Sequence, residues 1–186
     1  GVKLVVELQD GHLVETVIIL HSAKRITACV SSQVGCRMAC SFCATGTMGL
    51  HGNLFAAEIV EQIVHANKLF SITNVFFMGQ GEPLDNFKAV TEAIETLSEY
   101  AFFIPYSRIT VSTVGLTTGI RKWADQFPKV PLALSLHAPT EDIRLDLVPT
   151  TKAYKLNSII EAVDYYIEKT GQSVMMEYIM IDEVNS

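Results

Sequence analysis

The sequence predicts an α/β protein in which a β-hairpin precedes parallel strands joined by helices. Two observations predict it. After residue 20, five β-forming runs alternate with four helical regions, and before it an Asp10-Gly11 turn separates two further β-forming runs. Such alternation makes the strands parallel with right-handed crossovers, hence a doubly wound sheet, a barrel or a partial barrel. The 186 residues accommodate one domain with a sizeable core. A complete eightfold barrel typically takes about 250.

Leu4 to Glu7 and Leu13 to Leu20 flank Gln9-Asp10-Gly11-His12, so residues 1–20 read as a hairpin extension and residues 21–186 as the main domain. Short runs rich in β-formers then predict strands at Ile26 to Val30, Asn74 to Met78, Arg108 to Ser112, Leu132 to Leu136 and Ser173 to Ile181. The longer segments between them predict helices at about Ala56 to Phe70, Asn86 to Tyr100 and Thr118 to Phe127. A last helical region runs from Asp142 through Lys169, interrupted near Pro149. The chain stops straight after its fifth parallel strand, so further C-terminal sequence is expected. The start at Gly1 without Met is expected to be a boundary or processed end.

Hydrophobic residues make up 49% and charged residues 18%, which excludes disordered and low-complexity classes. Charged residues interrupt every apolar stretch before a spanning length of about 20 residues, so no membrane association is expected. The formal charge of −6 argues against a broad basic field for nucleic acid while leaving room for a local basic site. The four cysteines, Cys29, Cys36, Cys40 and Cys43, cluster in one short window without a secretory signal. A reducing compartment, the cytoplasm, is expected.

Functional residues in such folds gather at the C-terminal ends of the strands. Those ends are unusual here: cysteine-rich after the first, Gly79-Gln80-Gly81-Glu82-Pro83 after the second, Ser112-Thr113 after the third and His137-Ala138-Pro139 after the fourth. Cys36-Arg-Met-Ala-Cys40-Ser-Phe-Cys43 places three soft thiolates in one loop, a set that selects zinc or an iron–sulfur cluster. A zinc site with Cys29 as fourth ligand is one reading. Zinc sites, however, usually use a second distant pair, and none is present. Three ligands on a cubane leave one iron open to chelate a substrate or cofactor.

Cys-x3-Cys-x-Phe-Cys after the first strand of a β/α series resembles the signature of radical S-adenosyl-L-methionine (SAM) enzymes. The strings Cys29-Val-Ser-Ser-Gln-Val-Gly-Cys36, Met78-Gly-Gln-Gly-Glu-Pro-Leu-Asp-Asn86 and Ser135-Leu-His-Ala-Pro139 are similar to the RlmN and Cfr type of adenine-C2 RNA methyltransferase, RlmN more closely. The resemblance spans roughly Glu15 to Asn185 and implies a partial (β/α) barrel of the radical SAM type. It also implies that Cys36, Cys40 and Cys43 hold a 4Fe–4S cluster and that SAM binds its open iron. By the same resemblance Gly81, Glu82, Ser112, Ser135, Leu136 and His137 contact SAM. A carboxylate at Glu82 can accept from the methionyl ammonium. Read alone, Gly79 to Pro83 is a strand-to-helix turn and His137 an ordinary hydrogen-bonded histidine.

Cys29 matches a cysteine that the family uses in methyl transfer, and Glu15 matches its proton-accepting glutamate, although the interval between them is one residue longer here. In that scheme a second cysteine near the C-terminus carries the methyl group to adenine C2 and Cys29 releases it as a disulfide. No cysteine follows Cys43, so this chain alone is expected not to complete methyl transfer. Large-subunit ribosomal RNA and tRNA are the implied substrates, with an external one-electron reductant, and a monomer is expected. Two other readings stay open: a radical SAM enzyme with a different substrate, and a noncatalytic cluster- or SAM-binding paralogue.

Overall fold

The computed structural model describes residues 1–186. Strands β1 (Val2–Glu7) and β2 (Leu13–Ser22) form the antiparallel hairpin, and β3 (Arg25–Cys29) pairs antiparallel with β2. The hairpin turn is closed by the Asp10 carboxylate, which accepts the His12 amide at 3.0 Å. A second, two-stranded sheet follows, β4 (Gln33–Cys36) with β5 (Gly49–Asn53), and between its strands lies the cysteine-rich loop. Then come α1 (Ala56–Leu69), β6 (Asn74–Phe77), α2 (Phe87–Glu95), β7 (Ile109–Thr113), α3 (Thr117–Gln126), β8 (Leu132–Ser135), α4 (Glu141–Leu147), α5 (Leu156–Thr170) and β9 (Met175–Glu177). No helix is long and apolar enough to cross a membrane.

The main sheet has the order β1-β2-β3-β6-β7-β8-β9, parallel from β3 onward. The parallel strands lie in sequence order without reversal. A doubly wound sheet would reverse it at a switch point, so this is the open, singly wound arc of a partial barrel. One core joins the two halves: Val14, Ile18, Ala28, Val75, Phe77, Val111, Leu132 and Leu134 of the sheet with Ile59, Ile63, Val90, Trp123, Ile159 and Tyr166 of the helices. Alternation along the strands leaves the other face to Glu15, Val17, Cys29, Phe76, Ser112, Ser135 and Glu177. That face carries the polar chemistry.

Three local differences from the sequence reading have physical causes. The cysteine segment is anchored by β4 and β5, whose glycines are poor β-formers in isolation. The helix expected through Tyr100 is α-helical only to Glu95 and continues as a π-helical turn, Thr96–Tyr100. The expected strand from Ser173 to Ile181 pairs only over Met175–Glu177, because β8 is its one neighbour. Beyond Glu177 the backbone turns inward, and the Ile179 amide donates to His137 Nδ1 at 3.1 Å.

Candidate active site

The two loops at the ends of β3 and β6 are zipped together by backbone. The Ser32 amide donates to the Gln80 carbonyl at 2.8 Å, the Gly79 amide to the Val30 carbonyl at 3.0 Å, and the Gln80 amide to the Ser31 hydroxyl at 3.1 Å. Gln33 Oε1 accepts the Glu82 amide at 2.8 Å, while its Nε2 donates to Asn53 and Asp85. Gly81 has φ +100°, and a Cβ there would stand 2.6 Å from the Gln33 Cβ. Only glycine meets both demands. The Val-Ser-Ser-Gln and Gly-Gln-Gly-Glu-Pro strings are thus two sides of one packed unit.

That unit walls a polar cleft of about 130 Å³ lined by Gly81, Glu82, Ser112, Thr113, Ser135 and Glu177 among others. The Glu82 carboxylate is buried and accepts the amides of Leu84 at 3.1 Å and Val114 at 3.0 Å. Burial pushes its pKa up to about 7 against the pull of those hydrogen bonds. Across the cleft, Glu177 Oε2 accepts the hydroxyls of Ser112 at 2.7 Å and Ser135 at 2.8 Å. Leu136 and His137 follow directly, their amides on the Glu177 carbonyl at 3.0 and 3.3 Å. A larger depression of about 270 Å³ at Glu95, Tyr106 and Phe127 is remote from all of these residues.

The cysteine loop meets the end of β8 through Phe42 and His137. Phe42, the aromatic before Cys43, meets the His137 ring edge-on with centroids 4.8 Å apart. His137 takes the left-handed backbone at φ +58°, held by the Asn185 side-chain amide on its carbonyl at 2.7 Å. Burial lowers its pKa, so the ring is neutral near pH 7. Met38 and Cys40 pack against Leu147 and Val148 at the end of α4. Gly46 is required behind them, since a Cβ there would stand 2.7 Å from the Cys40 carbonyl oxygen.

The donor set fits an iron–sulfur cluster. All four cysteines are free thiols. Burial pushes the Cys40 thiol up to about 12, with Cys36 and Cys43 adding to the rise, and burial also raises Cys36. A bound cation would relieve that penalty on the thiolates. Three soft thiols on one loop are donors that an iron–sulfur cluster takes, each cysteine on a different iron.

Glu15 and Cys29 stand on the polar face of the sheet. Cys29 pairs with Val17 of β2 and Phe76 of β6, and Glu15 lies two residues along β2 from Val17, hence on the same side. The β2–β3 register shifts between Leu20 and Ser22, near the turn, whereas Val17 and Cys29 pair in regular register. The Cys29 thiol is pushed up to about 11 by burial first and by the Glu177 charge second. Glu15 is half-exposed and pairs with Lys3 at 2.8 Å.

The radical SAM superfamily model matches residues 30–186. The chain belongs to the radical SAM superfamily. This family uses a 4Fe–4S cluster and SAM. The chain is 43% identical over 190 residues to the probable dual-specificity RNA methyltransferase RlmN 2 of Protochlamydia amoebophila, covering 99% of this chain and 53% of that protein. It is 47% identical over 185 residues to the probable dual-specificity RNA methyltransferase RlmN of Mycobacterium ulcerans, covering 95% and 50%. A crystal structure of a radical SAM methyltransferase from Sphaerobacter thermophilus superposes with a TM-score of 0.95 at 42% identity, covering 98% of this chain and 55% of that one. The chain therefore spans about half the length of the relatives it matches.

Sequence reasoning did not single out Glu177, Gln33, Asn185 or Arg144. Glu177 carried one usable signal, its place near the end of a parallel strand. Gln33 stood within the Cys29 to Cys36 string, and Asn185 and Arg144 carried no signal because their roles arise from tertiary contacts.

Proposed function

We propose that this chain is the catalytic core of a radical SAM RNA methyltransferase that acts at C2 of adenine in large-subunit ribosomal RNA and in tRNA. The observation that carries the reading is the shared face of Glu15 and Cys29 beside the cysteine loop and the strand-end cleft. A radical SAM enzyme of another class needs the loop and cleft but has no use for an acid and a free thiol placed together. The similarity to RlmN proteins over nearly the whole chain supports the same conclusion.

In this reading Cys36, Cys40 and Cys43 ligate the cluster. Gly81, Glu82, Ser112, Ser135, Leu136 and His137 line the SAM site. When bound, cluster and SAM together supply a carbon radical on receipt of one electron from an external reductant. The protein does the rest. Gly81 admits the ligand close to the backbone, Glu82 presents a carboxylate fixed by two amides, and neutral His137 offers a ring nitrogen. Glu15, kept beside Lys3, takes the proton from adenine C2, and Cys29 attacks as thiolate to release the product from a second, methyl-carrying cysteine. That attack requires the loss of a proton that burial makes hard to remove. A reducing, cytoplasmic setting keeps such a thiol set available for the cluster.

The test is mass spectrometry of digested RNA after incubation with SAM and a reductant. A form of the protein extended to include a second cysteine outside the cluster set should yield 2-methyladenosine, and Cys29→Ala in that form should stall as a covalent protein–RNA adduct. Modification elsewhere than C2, or C2 methylation by the 186-residue chain alone, would overturn the scheme.

A further inference from the structure

Arg144 is a buried cation without an anionic partner. Its side chain is fully buried. The guanidinium donates to the carbonyl oxygens of Val114, Ser135 at 3.2 Å and Leu136 at 3.1 Å, and to the Thr151 hydroxyl at 2.8 Å. Each of these partners is neutral, and Arg144 takes part in none of the chain's ion pairs. Taking a guanidinium out of water costs several kcal/mol even after relaxation, and neutral acceptors recover only part of it. Arginine cannot escape by losing its proton.

Packing of α4 places Arg144 behind the cysteine loop. Helix α4 carries Arg144 and ends at Leu147, whose carbonyl accepts the Ser41 amide at 2.9 Å, and Leu147 and Val148 pack on Met38 and Cys40. Arg144 is therefore fixed behind the cysteine loop while tying down the ends of β7 and β8.

We infer that Arg144 is the built-in counter-charge of the iron–sulfur site, a permanent, water-excluded positive charge beside Cys40 that favours uptake of an electron there. The inference rests on the reading that Cys36, Cys40 and Cys43 ligate the cluster. Reduction adds one negative charge, supplied by an external one-electron reductant, to a site already made anionic by three thiolates. A fixed cation nearby stabilises the reduced form more than the oxidised form and so raises the potential. A purely structural role, fastening the strand ends, would need the hydrogen bonds and not the charge.

The experiment compares the full chain with Arg144→Lys, Arg144→Met and Arg144→Gln after anaerobic cluster reconstitution. The midpoint potential is read by electron paramagnetic resonance during a dye-mediated titration, alongside iron content and apoprotein unfolding. The neutral variants should shift to lower potential. Arg144→Lys, which keeps the charge but not the fork of donors, should stay near the wild-type potential although its unfolding temperature falls. Should neither neutral variant retain iron, retention by Arg144→Lys alone also supports the counter-charge. Equal shifts in all three, an unmoved potential in iron-loaded Arg144→Met, or loss of iron from all three would overturn it. Wild-type protein that takes up no iron would overturn the cluster reading itself, and this inference with it.

Discussion

Glu177 accepts the Ser112 hydroxyl at 2.7 Å, reaching from β9 across β8 to β7. The same oxygen takes the Ser135 hydroxyl at 2.8 Å. One carboxylate thus sets the rotamers of two serines proposed to contact SAM, and it presents a charged acceptor to any hydroxyl-bearing ligand in the cleft. Glu177→Ala should weaken SAM binding by about tenfold, or ~1.4 kcal/mol, in reconstituted protein assayed by equilibrium dialysis. Unchanged affinity at unchanged iron content would show that Glu177 serves only the serines.

The Glu177 charge also bears on Cys29, whose thiol is pushed up to about 11 by burial and then by that carboxylate. Alkylation of Cys29, followed by peptide mass spectrometry, should therefore be slow at pH 7 and keep rising with pH to about 11. Removing a negative charge favours the thiolate. Glu177→Gln should accordingly bring the inflection down, and a rate already level by pH 8 in the wild type would contradict the assignment.

Burial of Glu82 makes a prediction for stability. Its folded pKa is up at about 7, against an ordinary value of 4.5. The folded state holds the proton more tightly, so the contribution of Glu82 to apoprotein stability should be full below about pH 4.5 and be lost as the pH rises through about 7. The loss is on the order of 3 kcal/mol. Urea unfolding of wild type and Glu82→Ala over that range isolates the contribution, because the slope belonging to Glu82 should vanish in the variant. Parallel slopes would mean that Glu82 is ionised throughout.

The contact of Phe42 with His137 joins the cysteine loop to the end of β8. Phe42→Leu keeps most of the apolar volume and loses the edge-on ring contact, worth about 0.5–1.5 kcal/mol. It should leave iron content intact while weakening SAM binding several-fold. Loss of iron with unchanged SAM affinity would place the role of Phe42 in the loop alone.

Much of this arrangement is legible in the sequence because it is local. The Asp10-Gly11 turn, the β-forming runs and the chemistry at their ends are carried by neighbouring residues, and the structure places Gly81, Glu82, Ser112 and Ser135 around one cleft. What is not legible depends on packing between distant segments. Arg144, in Glu-Asp-Ile-Arg-Leu-Asp-Leu, has the sequence of an ordinary charged helix face, and only the seating of α4 behind Cys40 buries it. Glu177 acquires its partners from the β8–β9 register, which sets it opposite Ser135. The β4–β5 hairpin has no alternating pattern to announce it. It exists because Gln33 is tied to Asn53 at 2.7 Å and Leu54 to Ser32 at 3.2 Å.

The central claim is that the cysteine loop and the strand-end cleft form one radical SAM centre, and anaerobic reconstitution of the chain with iron, sulfide, SAM and a reductant tests it most directly. About four irons per chain should be taken up, with SAM cleaved to 5′-deoxyadenosine. Iron should be lost on changing Cys36, Cys40 or Cys43 to Ala and kept in Cys29→Ala. Stoichiometric zinc without iron uptake, or iron that depends on Cys29, would contradict it.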